Sequence, residues 1–147
     1  AACPLTNSVE LHLGVEFTFD KSLFEAATQR LANYPHIEVL LGDSSKVMPS
    51  VLKKVSLKPI FWLDAHKCSS YGGANAGLSN TPILNEVKTI LQSEHSKCVI
   101  LVDDYDEFIS DPQYPDFLEL QTIFRRGGYQ SSVWQNIIVA TPLSKSK

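Results

Sequence analysis

The chain has 147 residues, of which 44% are hydrophobic and 20% charged, and its formal net charge is −3. This size and composition can bury one ordinary core, so we expect a single domain over residues 1–147, and the acidic balance argues against nucleic-acid binding. The apolar runs are far shorter than the roughly 20 residues that a membrane-spanning helix requires.

The three cysteines are Cys3, Cys68 and Cys98. They have neither CxxC spacing nor an even count, which argues against a disulfide framework and against a structural zinc site. The pattern indicates a reducing compartment. We therefore expect a cytoplasmic protein whose partner is a small molecule, without a membrane or a nucleic acid.

The first predicted elements are a strand, a helix and a second strand. Residues 15–20, VEFTFD, alternate between apolar and other side chains and predict a strand. The segment that follows places Leu23, Ala27 and Leu31 on one face of a helix. HIEVLL, from His36, is a nearly continuous apolar run and predicts a buried strand.

The middle of the chain repeats this alternation. A helix is predicted from Ser44 or Ser45, and Pro49 makes it short or divides it in two. PIFWL, from Pro59, predicts a second buried strand.

The next helix has the clearest periodicity of the chain. Thr81 is expected to cap it, with Pro82 in its first turn. Leu84, Val87 and Leu91 form its predicted apolar stripe.

The last third contains a strand and a hairpin. KCVILV, from Lys97, predicts a third buried strand, and YQSSVW and IIVATP, separated by Gln135 and Asn136, predict an antiparallel hairpin. Strands that alternate with helices indicate parallel pairing. We predict an α/β fold with a doubly wound, mostly parallel, Rossmann-like sheet that ends in a C-terminal antiparallel hairpin.

The predicted buried strands all end in aspartate. Asp43 follows the first, Asp64 the second, and Asp103 and Asp104 the third. Ligands of an open α/β sheet bind beyond the carboxyl ends of its strands, so we expect these acids to face one crevice. Clustered carboxylates repel one another unless a cation, hydrogen-bond donors or solvent compensate their charge. Their oxygen atoms are suitable ligands for magnesium or calcium. The structural alternative is that each caps a helix or accepts from loop amides.

Asp64 is followed by His66 and by a long glycine-rich segment that runs from Lys67 to Asn80. Long loops at this face of a sheet are commonly lids or binding loops, and glycines allow close approach. The structural alternatives are a tolerated surface insertion for this segment, an ordinary hydrogen-bonded side chain for His66 and a solvated side chain for Lys67.

Tyrosines near these acids are candidates for an aromatic acceptor pocket. They are Tyr71, Tyr105 and Tyr114. The alternative is that they cover loop surfaces.

Several segments together resemble class I S-adenosylmethionine-dependent methyltransferases over about residues 15–142. They are FTFDKSLFEAATQRL, VLLGDSSKVMP, FWLDAH with the later TPILNEV, VILVDDYDEF, and GGYQSSVWQNIIVATP. The resemblance implies a mixed sheet closed by an antiparallel hairpin. It places Asp43 and Ser44 near the adenine of the cofactor. Thr18 occupies the position at which the family has an acid that hydrogen-bonds the ribose hydroxyls. Asp20, two residues later, is a nearby acid.

The resemblance to catechol-type O-methyltransferases implies a cation site. In that group, acids after two neighbouring strands hold a magnesium ion that orients the acceptor hydroxyl, and they match Asp64, Asp103 and Asp104. A lysine that serves as general base there matches Lys67, next to His66. The implied function is methyl transfer to a small hydroxylated acceptor, assisted by Mg²⁺ or another divalent cation.

The beginning of the family pattern is not matched. The family starts with a strand and a glycine-rich loop beside the cofactor, whereas residues 1–14 contain only Gly14 and no GxG. The resemblance thus implies a truncated or rearranged N-terminal part and a gap in the middle of the sheet. SVELHLG (8–14), direct closure of the flanking strands, or a second copy of the chain would fill that gap, and we hypothesise a homodimer.

Two other functions stay open. The chain is a candidate for a non-catalytic methyltransferase-like module that binds a ligand or assembles as a dimer. It is also a candidate for a metal-dependent hydrolase that activates water with the same acids.

Overall fold

The computed structural model describes residues 16–18, 21–55, 58–64, 81–112 and 114–144. The chain divides into two compact units, Ala1–Asp43 and Ser44–Lys147. Within the described ranges, no helix has both the length and the apolar character needed to cross a membrane.

The first unit contains a β–α–β arrangement. Strand β1 (Glu16–Thr18) pairs in parallel with β2 (Val39–Leu41), and helix α1 (Lys21–Leu31) connects them and contacts both. This is the strand–helix–strand order that the sequence predicts.

One face of α1 is half-buried. Phe24, Ala27 and Leu31 are half-buried, and the other described side chains of the helix are exposed. The spacing confirms the face predicted from Ala27 and Leu31. The side chain of Leu23, predicted on the same face, lies outside the described part of the structure.

The second unit is built on a mixed four-stranded sheet. Its strands are β3 (Ile60–Leu63), β4 (Val99–Val102), β5 (Tyr129–Trp134) and β6 (Ile137–Pro142). Its helices are α2 (Ser44–Leu52), α3 (Ile83–Gln92), α4 (Glu107–Ser110) and α5 (Phe117–Arg126). The strand order is β3-β4-β6-β5, with β3 parallel to β4 and the other pairs antiparallel.

The predicted α/β class is confirmed, and so is the C-terminal antiparallel hairpin. The described strands pair twice in parallel and twice antiparallel, so they are not mostly parallel. They form two separate sheets rather than one. The doubly wound arrangement and the single domain stay predictions.

The hairpin turn consists of Gln135 and Asn136, as predicted. Gln135 has a φ of 53°, the left-handed conformation that tight two-residue hairpin turns require. The carbonyl oxygen of Asn136 accepts from the N–H of Tyr105, and its side-chain oxygen accepts from the N–H of Asp106, each at 2.9 Å. The turn therefore holds the loop that follows β4.

The core joins one face of the sheet to three helices. Ile100 of β4 and Ile138 of β6 are fully buried and belong to the same cluster as Met48 of α2, Val87 of α3 and Phe124 of α5. Burial alternates along β4, so the residues on either side of Ile100 in the sequence face the other side of the sheet.

Helix α3 buries a wider apolar face than the predicted stripe. Val87 is fully buried, but Ile83 and Ile90 are more buried than Leu84 and Leu91, which pack at the side of the core. The reason is that α3 contacts both α2 and α5, so apolar residues on two flanks are covered.

The start of α3 differs by one residue from the prediction. Pro82 is the N-cap residue rather than part of the first turn. The hydroxyl oxygen of Thr81 accepts from the N–H of Ile83 at 3.3 Å, so Thr81 still supplies the capping oxygen.

Two long-range hydrogen bonds hold the segment before β4. Nε2 of His95, which is buried, donates to the carbonyl oxygen of Leu52 at 3.0 Å. The hydroxyl of Tyr129 donates to the carbonyl oxygen of Cys98 at 2.8 Å. These bonds attach the start of β4 to α2 and to β5.

Candidate functional site

The carboxyl ends of β3 and β4 bring two groups of predicted metal-binding acids to one edge of the sheet. Leu63 lies opposite Val102 in the parallel register, and the N–H of Asp103 donates to the carbonyl oxygen of Leu63 at 3.0 Å. Asp64 and Asp103 each follow one member of this residue pair. Both acids therefore leave the sheet at the same edge, as the sequence predicts.

Asp103 and Asp104 have different local roles. Oδ1 of Asp103 accepts from the backbone N–H of Asp104 at 2.9 Å, which is the loop-amide role considered from the sequence. Asp104 has a φ of 57°, a left-handed backbone conformation that aspartate tolerates better than most residues. The Asp103 carboxylate thus stabilises a sharp change of chain direction directly after β4.

Tyr114 lies within electrostatic range of acids from both strands. Burial raises the pKa of its phenol well above the usual range, and the charges of Asp104, Glu107, Asp64 and Asp111 raise it further. A carboxylate disfavours a second negative charge beside it. The phenol of Tyr114 therefore stays protonated and neutral at physiological pH, next to a group of carboxylates.

Tyr114 also lines a cleft of about 310 Å³. Helix α3 contributes Asn85 and Lys88 to this cleft, and α5 contributes Glu119. The ring of Tyr114 also packs edge-on against Phe108, with ring centroids 5.1 Å apart, which holds its position. The cleft presents both donors and acceptors of hydrogen bonds, and Tyr114 is the residue that it shares with the electrostatic environment of the acids.

The sequence identified Tyr114 but not the other polar residues of the cleft. Polar positions of amphipathic helices are usually interpreted as solvated, and three residues of the cleft occupy such positions: Asn85, Lys88 and Glu119. Their proximity depends on the packing of α3 against α5. No sequence signal singles them out.

The structure describes two of the three tyrosines that are candidates for an acceptor pocket, and these two lie in different surroundings. Tyr105 packs edge-on against Phe117, with centroids 5.0 Å apart, at the border of the core. Tyr114 lines the cleft. Tyr71 lies outside the described residues.

The residues predicted to bind the cofactor lie at the end of β1 or follow β1 and β2 in the chain. After β2, Gly42 has a φ of 148°, a conformation that favours glycine, and it leads into the half-buried Asp43 and the buried Ser44. Thr18 is the last residue of β1. Its side chain lies outside the described part of the structure, as does the whole of Asp20.

The predicted catalytic residues, His66 and Lys67, also lie outside the described residues, so their roles stay predictions. Within the described ranges, no three His, Cys, Asp or Glu side chains are grouped as a metal site. Asp64, Asp103 and Asp104 lie within those ranges, so these three side chains do not form such a group by themselves.

No protein-family model and no curated protein sequence matches this chain.

Proposed function

We propose that this chain is an S-adenosylmethionine-dependent methyltransferase-like protein. Its reaction would be methyl transfer to a small hydroxylated acceptor, assisted by a divalent cation. The observation that carries the proposal is the pairing of Leu63 with Val102, because it brings Asp64 and Asp103 to the same edge of the sheet.

The order of the strands supports the family part of the proposal. The resemblance implies a sheet in which the first strand lies between the second and the fourth. On one side of that first strand such a sheet has a parallel pair, and on the other side it has strands that end in an antiparallel hairpin. The described strands pair in this way, as β1-β2 and as β3-β4-β6-β5.

The donor chemistry of the acids fits a hard divalent cation. Carboxylate oxygens are the ligands that Mg²⁺ and Ca²⁺ prefer, and Asp64, Asp103 and Asp104 would hold the ion. Only Oδ1 of Asp103 is needed for its bond to Asp104. A bound cation would lower the pKa of the acceptor hydroxyl and offset the repulsion among the carboxylates.

The cleft that Tyr114 lines would bind the acceptor. Tyr114 keeps its proton, so it would donate a hydrogen bond to an acceptor oxygen, and Lys88 would attract an acceptor with negative charge. Lys67, the general base that the resemblance implies, would take the hydroxyl proton.

The residues around β2 fit part of the cofactor. The Asp43 carboxylate accepts hydrogen bonds, as an adenine amino group or a ribose hydroxyl would require, and the Ser44 hydroxyl both donates and accepts. Thr18 and Asp20 are the proposed contacts on the ribose side.

Calorimetry with S-adenosylmethionine, in the presence and absence of Mg²⁺, tests this function. We expect saturable heat with the cofactor, and separate heat with Mg²⁺ that Asp64→Asn and Asp104→Asn abolish. Glu94→Gln is the matched control, because it removes the same charge from an exposed residue before the amino end of β4. The cofactor heat should survive the aspartate substitutions.

The outcomes separate the alternatives. The methyltransferase proposal fails if millimolar cofactor gives neither heat nor a thermal shift. Binding of cofactor without methyl transfer to any of a panel of catechols and phenols would support the non-catalytic module instead.

A further inference from the structure

β3 is the end strand of its sheet within the described part of the chain, and it exposes large apolar side chains. Exposure alternates from Lys58 to Asp64, with Ile60 68% exposed, Trp62 54% exposed and Leu63 buried. An exposed, apolar end strand is a template for pairing with another chain.

The backbone of β3 directs alternate residues toward and away from β4. The carbonyl oxygen of Leu63 accepts from Asp103, so the backbone groups of Leu63 face β4. Successive residues of a strand direct these groups to opposite sides, and Ile60 and Trp62 therefore direct theirs to the outer edge. Pro59 lacks an N–H, but like Leu63 it directs its backbone toward the β4 side. The outer edge of β3 therefore loses no hydrogen-bond donor.

We propose that β3 pairs with β3 of a second copy of this chain, antiparallel and around a two-fold axis at Phe61. In this register Ile60 lies opposite Trp62 of the partner subunit. Lys58 lies opposite Asp64 of the partner subunit. Each contact occurs twice because the interface is isologous.

The charges that flank β3 favour a second copy of the chain as the partner. Lys58 comes before the apolar residues and Asp64 directly after them, and both side chains are exposed. Antiparallel self-pairing places opposite charges together at both ends and keeps the apolar residues together. Parallel pairing in register would place like charges together instead.

The backbone restricts the possible registers further. A shift by one residue would place a residue whose backbone groups face the outer edge opposite one whose backbone groups face β4. The hydrogen bonds between the two strands would then be lost. A shift by two residues keeps those bonds but separates Lys58 from Asp64. The proposed register satisfies both the backbone and the charges.

The interface would reach the candidate site, although it does not depend on the proposed function. Asp64 is one of the proposed cation ligands, and Lys58 of the partner subunit would lie beside it. The partner would thus add a positive charge at the border of the acidic edge.

Sedimentation equilibrium over about a hundredfold range of protein concentration tests the interface. We expect a monomer–dimer equilibrium that Trp62→Lys weakens by at least about tenfold, because a charge on an end strand opposes pairing. Trp134→Lys is the matched control. It places the same charge on a tryptophan that is 62% exposed on β5, the opposite end strand of the sheet.

Charge reversal tests the register. Lys58→Asp and Asp64→Lys should each weaken the dimer, by about tenfold, and the double variant should restore it. Circular dichroism of every variant shows whether it is folded. A monomeric wild-type protein, a dimer that Trp62→Lys leaves intact, or a double variant without restored affinity would overturn the proposal.

Discussion

The backbone N–H of Asp103 donates to the carbonyl oxygen of Leu63 at 3.0 Å, at the point where β3 and β4 end. This bond continues the parallel ladder by one residue beyond Val102. Asp64 and Asp103 consequently follow two residues that are paired across neighbouring strands. Carboxylates that follow neighbouring strands repel each other unless other groups or ions compensate their charge, so the site should respond measurably to changes in charge.

The first prediction concerns the phenol of Tyr114. Asp104→Asn and Asp64→Asn should each lower its pKa, because each removes a negative charge that opposes ionisation. Phenolate absorbance over a pH titration measures this, and the difference from Tyr114→Phe isolates the signal of one tyrosine. Glu94→Gln should leave the titration unchanged. An Asp64→Asn variant with the wild-type titration would show that Asp64 does not act on Tyr114.

The same titration reports on a bound cation. If a divalent cation binds at Asp64 and Asp104, its positive charge should lower the pKa of Tyr114. Ca²⁺ is the probe, because Mg²⁺ precipitates as its hydroxide in the alkaline range where the phenol ionises. We expect the shift to saturate with Ca²⁺ and to disappear in Asp104→Asn. A shift of equal size in that variant would mean that the ion acts from elsewhere or by general screening.

Tyr114 should also make the stability depend on alkaline pH. Its pKa in the folded protein is raised above the ordinary value of 10.0, so the unfolded chain releases the proton first as the pH rises. The contribution of Tyr114 to the free energy of unfolding is therefore fully present below pH 10.0 and decreases as the pH rises above that value. Urea unfolding at a series of pH values measures this, with a shallower alkaline decline for Tyr114→Phe. A parallel decline in both proteins would contradict the assignment.

Asn136 should stabilise the loop after β4 through its side chain. Asn136→Ala removes the acceptor of the Asp106 N–H and should cost about 1 kcal/mol of unfolding free energy. Gln92→Ala, which shortens an exposed amide side chain at the end of α3, should have little effect. Equal losses in the two variants would show that the bond to Asp106 does not stabilise the fold.

Helix α5 offers a matched test of the core. Phe124 is fully buried and Leu118 is 66% exposed on the same helix. Phe124→Ala should cost about 3–5 kcal/mol, since it removes a large buried ring and leaves a cavity. Leu118→Ala should change the unfolding free energy by less than about 0.5 kcal/mol. Chemical denaturation of both variants measures the difference.

Short-range patterns predicted the elements that depend on them. The continuous apolar runs before Asp43, Asp64 and Asp103 correctly predicted strands. The expectation that all three are buried was wrong, because no residue of β2 is fully buried and β3 exposes Ile60 and Trp62. Burial on both faces depends on what covers a strand, which an apolar run does not specify. The hairpin followed from the two residues between its strands. The short helix α4 has no such pattern, because four residues are too few to show a helical period.

Helix α3 shows where periodicity reaches its limit. Ile83, Val87 and Ile90 have helical spacing, and so do Leu84, Val87 and Leu91. The choice between the two sets depends on where α2 and α5 pack against the helix. A sequence contains the spacing but not the direction from which the neighbours approach.

By itself, the sequence determined the type of most elements and placed an acid at the end of each predicted buried strand. These are properties of residues near one another in the chain, and covalent spacing expresses them directly. Only the tertiary structure decided that Leu63 pairs with Val102, that Tyr114 faces acids from two strands, and that β3 ends its sheet among the described strands. Those relationships join segments far apart in the chain, and the register and packing that create them arise from burial of the whole core.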